Sequence, residues 1–265
     1  MSIESRVSSV LHAKNLNESL TGFSSFQLSN LQFEKQTKFD LPTNVRLGHL
    51  AEKIVSQLIQ HSSNYDLLYE NVQVVEGKKT VGELDFIVRN KASNQVTHVE
   101  LAYKFYLFDP QISTNSINNW IGPNRNDSLV EKLDKLKQKQ FPLLYHENSK
   151  SLLNTINFDE IKQALCLLAS LYVPYDHQQI FNPDYSKCIR GYYFNATLFA
   201  ARDHSDKQYF IPSKKEWGIH PVHNKIWLNY ADVQNEIQQV EIQQRAILCW
   251  EKHKENYSEF FIVWW

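Results

Sequence analysis

Acidic side chains lie inside two neighbouring apolar runs of the sequence. Glu83 and Asp85 belong to the first run, and Glu100 to the second, with Lys104 four residues further on. Successive side chains of a β-strand point to opposite faces, so Glu83 shares a face with Asp85, and Glu100 with Lys104. A buried carboxylate is costly unless it is paired or binds a metal. The pattern therefore predicts a metal site with a lysine beside it.

Metal-dependent hydrolysis of a phosphodiester needs few parts. Oxygen ligands hold Mg²⁺ or Mn²⁺, and the ion polarises the phosphate and lowers the pKa of a bound water. A nearby cation stabilises the negative charge that develops. Asp85 and Glu100 can supply two ligands, and the backbone carbonyl of Leu101 can supply a third. Lys104 can supply the cation, and Glu52, from a preceding helix, can complete the shell directly or through water.

Hydrophobic periodicity predicts the elements that must position these side chains. Pro42 is expected to open a helix, since apolar residues recur at helical spacing after it, and this helix is expected to end near Ser62 or Ser63. Residues 67–75 predict a strand that ends in a turn. The runs at 81–89 and 98–109 then predict the two strands of a hairpin. The expected order is helix, strand, strand, strand.

The remaining sequence predicts further α/β elements around this core. Residues 1–40 are polar and predict short helices or an extended arm on the outside, and residues from about 175 to 265 form a C-terminal elaboration. A helix with an apolar stripe begins near Ser128. Residues 156–168 predict either an amphipathic helix or a helix that runs into a strand, and residues 232–254 predict a long helix. Further strands are expected at 167–173, 188–194, 208–211 and 260–265.

Composition narrows the class of protein. With 265 residues, 42% hydrophobic and 22% charged, the chain suits a soluble globular protein of one large domain or of a domain with an added lobe. Its net charge of −1 provides no global field for nucleic acid, so binding would need a local patch. Three isolated cysteines predict neither a zinc ribbon nor a disulfide framework. We expect a cytoplasmic protein without a signal peptide or a membrane span.

The order of the acidic residues resembles that of the PD-(D/E)XK nuclease superfamily. More closely, the chain resembles an uncharacterised bacterial family, a domain of unknown function placed in that superfamily. The resemblance spans about residues 42–230 and is most specific over 46–140. The segments that carry it are Arg46–Glu52, Gly82–Phe86, His98–Leu107, Trp120–Asn124 with Asp127 and Lys132, Gly191–Tyr193 and Trp227–Leu228.

The resemblance implies both a fold and an activity. The implied fold is α/β with a restriction-endonuclease-like core, in the order helix, three-stranded antiparallel start of a mixed sheet, helix and further strand, within a single domain spanning residues 1–265. The implied activity is Mg²⁺-dependent hydrolysis of nucleic acid, with DNA the expected partner and 5′-phosphate ends as products. Asp85, Glu100, Lys104 and Glu52 take the site positions.

The lysine departs from the superfamily pattern. The superfamily places it two residues after the glutamate, where this chain has Ala102; Lys104 is displaced by about 6–7 Å along the same face of the strand. Lys132, on the following helix, is the alternative cation, and Gln140 is a further candidate. If neither lysine reaches the metal, the chain is a degenerate nuclease-fold module that binds nucleic acid or a protein partner without cutting.

Each site residue also has a structural interpretation. Lys104 can form a plain salt bridge with a neighbouring carboxylate, and Glu52 can simply be solvated. Glu83 is expected to be an exposed or ion-paired neighbour, and His98 a packing or hydrogen-bonding residue. In the extreme case the charges form only a buried ion-pair network. The lysine-rich helix face at residues 135–139 can contact phosphates, although a solvated face is the commoner role for such a pattern.

Overall fold

The computed structural model describes residues 2–33, 38–178 and 181–265. Within these ranges the chain is a mixed α/β protein whose nine strands form mixed β-sheet. Its contacts divide it into two compact units. The first comprises residues up to 104 together with 131–169, and the second comprises 105–130 together with 170–265.

The first part of the chain forms the predicted helix and strand triplet. The helices are α1 (Ile3–Leu11), α2 (Glu18–Thr21) and α3 (Leu47–Gln60), and the strands are β1 (Tyr65–Glu76), β2 (Lys79–Asn90) and β3 (Val96–Phe108). β1 pairs with β2, and β2 with β3, in antiparallel fashion. Gly77, at the predicted turn between β1 and β2, has a positive φ of 60°, which glycine adopts readily. The predicted antiparallel start of the sheet is confirmed.

Helix α3 begins later than its sequence suggested. The prediction placed Pro42 in the first turn, but residues 43–45 form bends and the first helical hydrogen bond joins the Leu50 N–H to the Arg46 carbonyl. The buried stripe of α3 begins with Leu47, so burial rewards helix formation only from that residue onward. The helix contacts both β1 and β2.

The middle and C-terminal parts contain shorter elements. They are β4 (Trp120–Ile121), α4 (Leu129–Lys135), a π-helical segment (Leu136–Gln140), α5 (Phe141–Leu143), α6 (Glu147–Leu152), β5 (Lys162–Pro174), α7 (Pro183–Ser186), β6 (Ile189–Asn195), α8 (Ala196–Ala200), β7 (Lys207–Phe210), α9 (Tyr230–Gln243), β8 (Ile247–His253) and β9 (Asn256–Val263).

Two of the predicted helices are wrong in part. Residues 162–168, assigned to a helix, belong to β5, in which residues 164–169 are all apolar and buried. The helix expected over 232–254 ends at Gln243, because Gln244 adopts the left-handed conformation that terminates helices, and residues 247–253 form β8. Short continuous apolar runs fit a buried strand and a buried helix equally well, so periodicity could not separate them.

In the first unit, the N-terminal segment extends the backbone pairing of β5. The Leu16 N–H donates to the Leu167 carbonyl at 3.0 Å, and the Leu165 N–H donates to the Ser24 carbonyl at 2.8 Å. The Asn15 side chain adds a bond from the Leu167 N–H at 2.8 Å. The predicted outer arm of residues 1–40 therefore supplies hydrogen bonds to the sheet; residues 1 and 34–37 of that prediction lie outside the described residues.

In the second unit, the strand order is β5-β6-β9-β8-β7, and β4 pairs with β3. The β5–β6 and β6–β9 pairs are parallel, whereas β9–β8 and β8–β7 are antiparallel. Any Cβ at Gly191 would collide with the Glu259 carbonyl oxygen, so the close approach of β6 to β9 requires glycine there. Residues 260–263 are buried, as expected for the apolar terminal strand.

Candidate metal site

The two predicted metal-binding carboxylates lie side by side in the first unit. The antiparallel register of β2 and β3 reaches the pair Phe86–Val99, and Asp85 and Glu100 occupy the next position. There the Asp85 carboxylate accepts a hydrogen bond from the Leu101 N–H at 2.7 Å. A side chain thus takes up a backbone donor of the neighbouring strand, which fixes the Asp85 carboxylate against β3.

Glu100 is fully buried and is held through both of its oxygens. His98 Nε2 lies 2.9 Å from Glu100 Oε1, and Gln140 Nε2 donates to Glu100 Oε2. The Gln140 amide oxygen in turn accepts from Lys132 Nζ at 2.8 Å. Both residues predicted as alternatives to Lys104 are therefore joined to the glutamate in one hydrogen-bonded path.

A second path fixes the His98 ring behind Glu100. Gln163 Nε2 donates to the Phe141 carbonyl at 2.7 Å and lies 3.2 Å from His98 Nδ1. A carbonyl can only accept, so the Gln163 amide nitrogen faces both groups and His98 Nδ1 is an acceptor. The ring proton therefore sits on Nε2, which donates to Glu100. Burial lowers the pKa of His98 to about 4, so the ring is neutral at pH 7.

Gln163 has no counterpart among the predicted site residues. It stands 65 residues from His98 in the sequence, at the start of a strand that was predicted as a helix. No spacing rule connects two residues that far apart. The available signal was a polar amide directly before an apolar run, which is weaker than the carboxylates inside apolar runs that singled out Asp85 and Glu100.

The carboxylates are strongly desolvated. Burial raises the pKa of Asp85 to about 8, and the charge of Glu100 adds to this effect. Burial also raises the pKa of Glu100 to about 8, although the charge of Lys132 opposes the change. Burial lowers the pKa of Lys132. A cation placed between the two carboxylates would restore their charged forms and replace the lost hydration.

Glu52, Glu83 and Lys104 lie at the margins of this cluster. Glu52 on α3 is half-buried, contacts His49 Nδ1 at 2.9 Å, and its charge helps to raise the pKa of Asp85. The charge of Glu83 helps to raise the pKa of Glu100. Lys104 is half-buried on β3, and its charge helps to lower the pKa of Lys132. All three therefore act on the central residues through space.

The donor set fits a hard divalent ion. Among the described residues, no group of three or more His, Cys, Asp or Glu side chains is placed to hold a metal. Mg²⁺ is commonly held by one or two carboxylates and keeps several waters, so Asp85 and Glu100 suffice as charged ligands. The Leu101 carbonyl remains the predicted third ligand, and Glu52 remains the predicted contributor, directly or through water.

The sheet and the buried carboxylates define a mixed α/β protein with a desolvated acidic site in its first unit. The chain belongs to the family described as a domain of unknown function, DUF1853, whose model matches residues 9–259. No curated protein and no solved structure matches the chain. Within the described residues, every helix is too short or too polar to cross a membrane.

The raised carboxylate pKa values predict that metal-free protein loses stability as pH rises from about 6.5 to 8. Because the folded pKa of each group, about 8, lies above its ordinary 3.8 or 4.5, the folded state retains protons that the unfolded state has already lost. The free energy of unfolding must then fall with rising pH, by on the order of 1–2 kcal/mol over this window. Differential scanning fluorimetry would detect a decreasing melting temperature.

His98 sets the lower limit of this pH window, and a variant of Asp85 provides the control. Below pH 6.5, His98 acts in the opposite direction, because its folded pKa of about 4 lies below its ordinary 6.5. The variant Asp85→Asn removes one titrating carboxylate and should flatten the slope between pH 6.5 and 8. A wild-type melting temperature that is constant or rises across this window would contradict the assigned burial effect.

Proposed function

We propose that this protein is a Mg²⁺-dependent nuclease that acts on DNA, with a restriction-endonuclease-like core of the PD-(D/E)XK kind. One observation carries the proposal: Asp85 and Glu100 lie side by side in a desolvated site, and Lys132 joins Glu100 through Gln140. Such a site combines hard anionic ligands with a lysine close to where a phosphate would sit.

Each residue has a distinct role in this proposal. Asp85 and Glu100 would hold the ion, which supplies charge stabilisation and a more acidic bound water. Gln140 and His98 keep the Glu100 carboxylate oriented. Lys132 carries the positive charge that faces the phosphate or the attacking water. It takes the role that the superfamily gives to the lysine two residues after the glutamate, because Ala102 occupies that position in this chain.

The order of elements also supports the proposal. Helix α3, the antiparallel strands β1, β2 and β3, the helical segment from Leu129 to Leu143, and β5 follow the order that the superfamily resemblance implies. Glu52 is on the helix, Asp85 on the second strand and Glu100 on the third. A site of this type requires two carboxylates on adjacent strands at neighbouring positions. The register of β2 and β3 places Asp85 and Glu100 in this way.

A basic surface lies next to the site. Lys135, Lys137 and Lys139 are exposed on the same helical segment that carries Lys132 and Gln140. Phosphate contacts by lysines provide most of the affinity of non-specific DNA binding. A local patch of this kind would offset the net charge of −1 of the whole chain.

A second candidate is a nuclease-fold module that binds nucleic acid or a protein partner without cutting. The observation that favours it is Ala102, which is buried where the superfamily lysine is expected. In this alternative, Lys132 and Gln140 satisfy the buried glutamate and serve no chemistry.

The test is a cleavage assay of the wild-type protein. Supercoiled, linear and single-stranded DNA and a matched RNA are incubated with Mg²⁺, with Mn²⁺, or with EDTA, and DNA retention is measured in parallel. Cleavage that requires the ion and leaves 5′-phosphate ends would support the nuclease. Salt-sensitive retention without cleavage would support the binding module, and neither cleavage nor retention would contradict both nucleic-acid functions.

A further inference from the structure

Asn71 lies on β1, directly across from the candidate metal ligand Asp85. The register of β1 and β2 includes the pairs Glu70–Phe86 and Val72–Leu84, and Asn71 and Asp85 occupy the position between them. Facing residues of antiparallel strands have Cα atoms about 4.5–5.5 Å apart. The register therefore places Asn71 beside Asp85, on the side of β2 that faces away from β3.

The backbone of Asn71 is unusual for its place in the fold. Its φ is +51°, in the left-handed region, whereas antiparallel strands have φ near about −140°. The other non-glycine residues with positive φ among the described residues lie in turns, in loops or at a helix end: Asn94, Arg125, Asp206, Gln244 and Lys254. Conformations of this kind are costly, and inside a regular element they are concentrated at functional sites.

The side chain of Asn71 carries a second unusual feature. Its Oδ1 atom is buried and has no hydrogen-bond partner. Leaving a buried acceptor unsatisfied typically costs about 1–3 kcal/mol. Amide oxygens are among the ligands that hard divalent cations take in proteins. A cation bound beside Asp85 would therefore supply the partner that this oxygen lacks.

We propose that the Asn71 amide oxygen is a neutral ligand of the metal held by Asp85 and Glu100, an inference that depends on the proposed metal site. Two carboxylates balance a divalent charge, so a third ligand that is neutral keeps the buried complex uncharged. Asn71 would supply the oxygen that no third acidic side chain provides among the described residues. The left-handed backbone of Asn71 is the conformational cost of presenting that oxygen from a strand.

The test measures Mn²⁺ affinity by isothermal titration calorimetry, without DNA. Asn71→Gly removes the amide but tolerates positive φ, so it should fold at least as stably as the wild type. Its Mn²⁺ affinity should fall by about tenfold or more, a loss of about 1.4 kcal/mol or greater. Asn94→Gly is the matched control, since Asn94 is exposed in a turn with φ +57° and should leave the affinity unchanged.

Two further variants, Asn71→Asp and Asp85→Asn, distinguish a wrong role for Asn71 from a wrong metal site. Asn71→Asp restores an oxygen ligand and should recover the affinity lost in Asn71→Gly. If Asn71→Gly binds Mn²⁺ as tightly as the wild type while Asp85→Asn does not, the role of Asn71 is overturned and the metal site stands. If the wild type itself does not bind Mn²⁺, both the metal site and the role of Asn71 are overturned.

Discussion

Replacing Asp85 with asparagine is expected to abolish metal-dependent DNA cleavage, with a rate loss on the order of a thousandfold or more. Asparagine has nearly the same shape and can still accept the hydrogen bond from the Leu101 N–H. It lacks the charge that holds a divalent ion and that the ion would neutralise. The decisive measurement is single-turnover cleavage at saturating Mg²⁺, with the wild type and the variant at equal concentration.

The same substitution should raise the stability of the metal-free protein above about pH 8, where both carboxyl groups lose their protons. Asp85 is desolvated beside Glu100, so removing its charge then relieves a like-charge repulsion in the folded state. A higher melting temperature together with lost cleavage would mark a residue retained for chemistry. Asp66→Asn is the matched control, because the Asp66 side chain on β1 is about half exposed and pairs with Lys91 at 3.4 Å. Equal cleavage by the wild type and both variants would refute the assigned role of Asp85.

Replacing Lys132 with methionine is expected to lower the cleavage rate by on the order of a hundredfold or more, whereas Lys104→Met should have a smaller effect. Lys132 is joined to Glu100 through Gln140, and the charges of both site carboxylates act on it. Methionine preserves the length and packing of the side chain while removing the ammonium. Cleavage rates at saturating DNA would separate lost chemistry from weakened binding.

The controls for the lysine prediction come from the same helix. Lys135→Met removes an exposed charge one turn away and should weaken DNA binding without a large change in the rate at saturation. The opposite ranking, with Lys104→Met inactive and Lys132→Met close to wild type, would assign catalysis to the strand lysine. In that case the displaced position after Ala102 would be functional.

The sequence was sufficient to predict the strands that carry the carboxylates. Period-2 alternation identified the shared faces of β2 and β3, and the turn residues between them set the hairpin, so Asp85 and Glu100 could be paired in advance. Such inferences succeed because they depend on residues that are close in sequence.

The arrangement of Lys132 and Gln140 could not be derived in this way. They are eight residues apart and meet where the α-helix gives way to a π-helical segment just before Pro142. Proline has no N–H to bond to the carbonyl four residues earlier and its ring crowds that carbonyl, which favours a wider turn. The proline was visible in the sequence, but which irregular geometry it would produce depends on the packing around it.

The N-terminal segment determines where a fragment that keeps the fold can begin. Its backbone forms hydrogen bonds with the N–H of Leu165 and the carbonyl of Leu167 on β5, as the backbone of a neighbouring strand would. A fragment cut to begin at Pro42 would leave these groups and the apolar surface around them uncovered. Exposed strand edges recruit other chains, so such a fragment would be prone to aggregate. The smallest autonomous form of the fold therefore begins well before its acidic site.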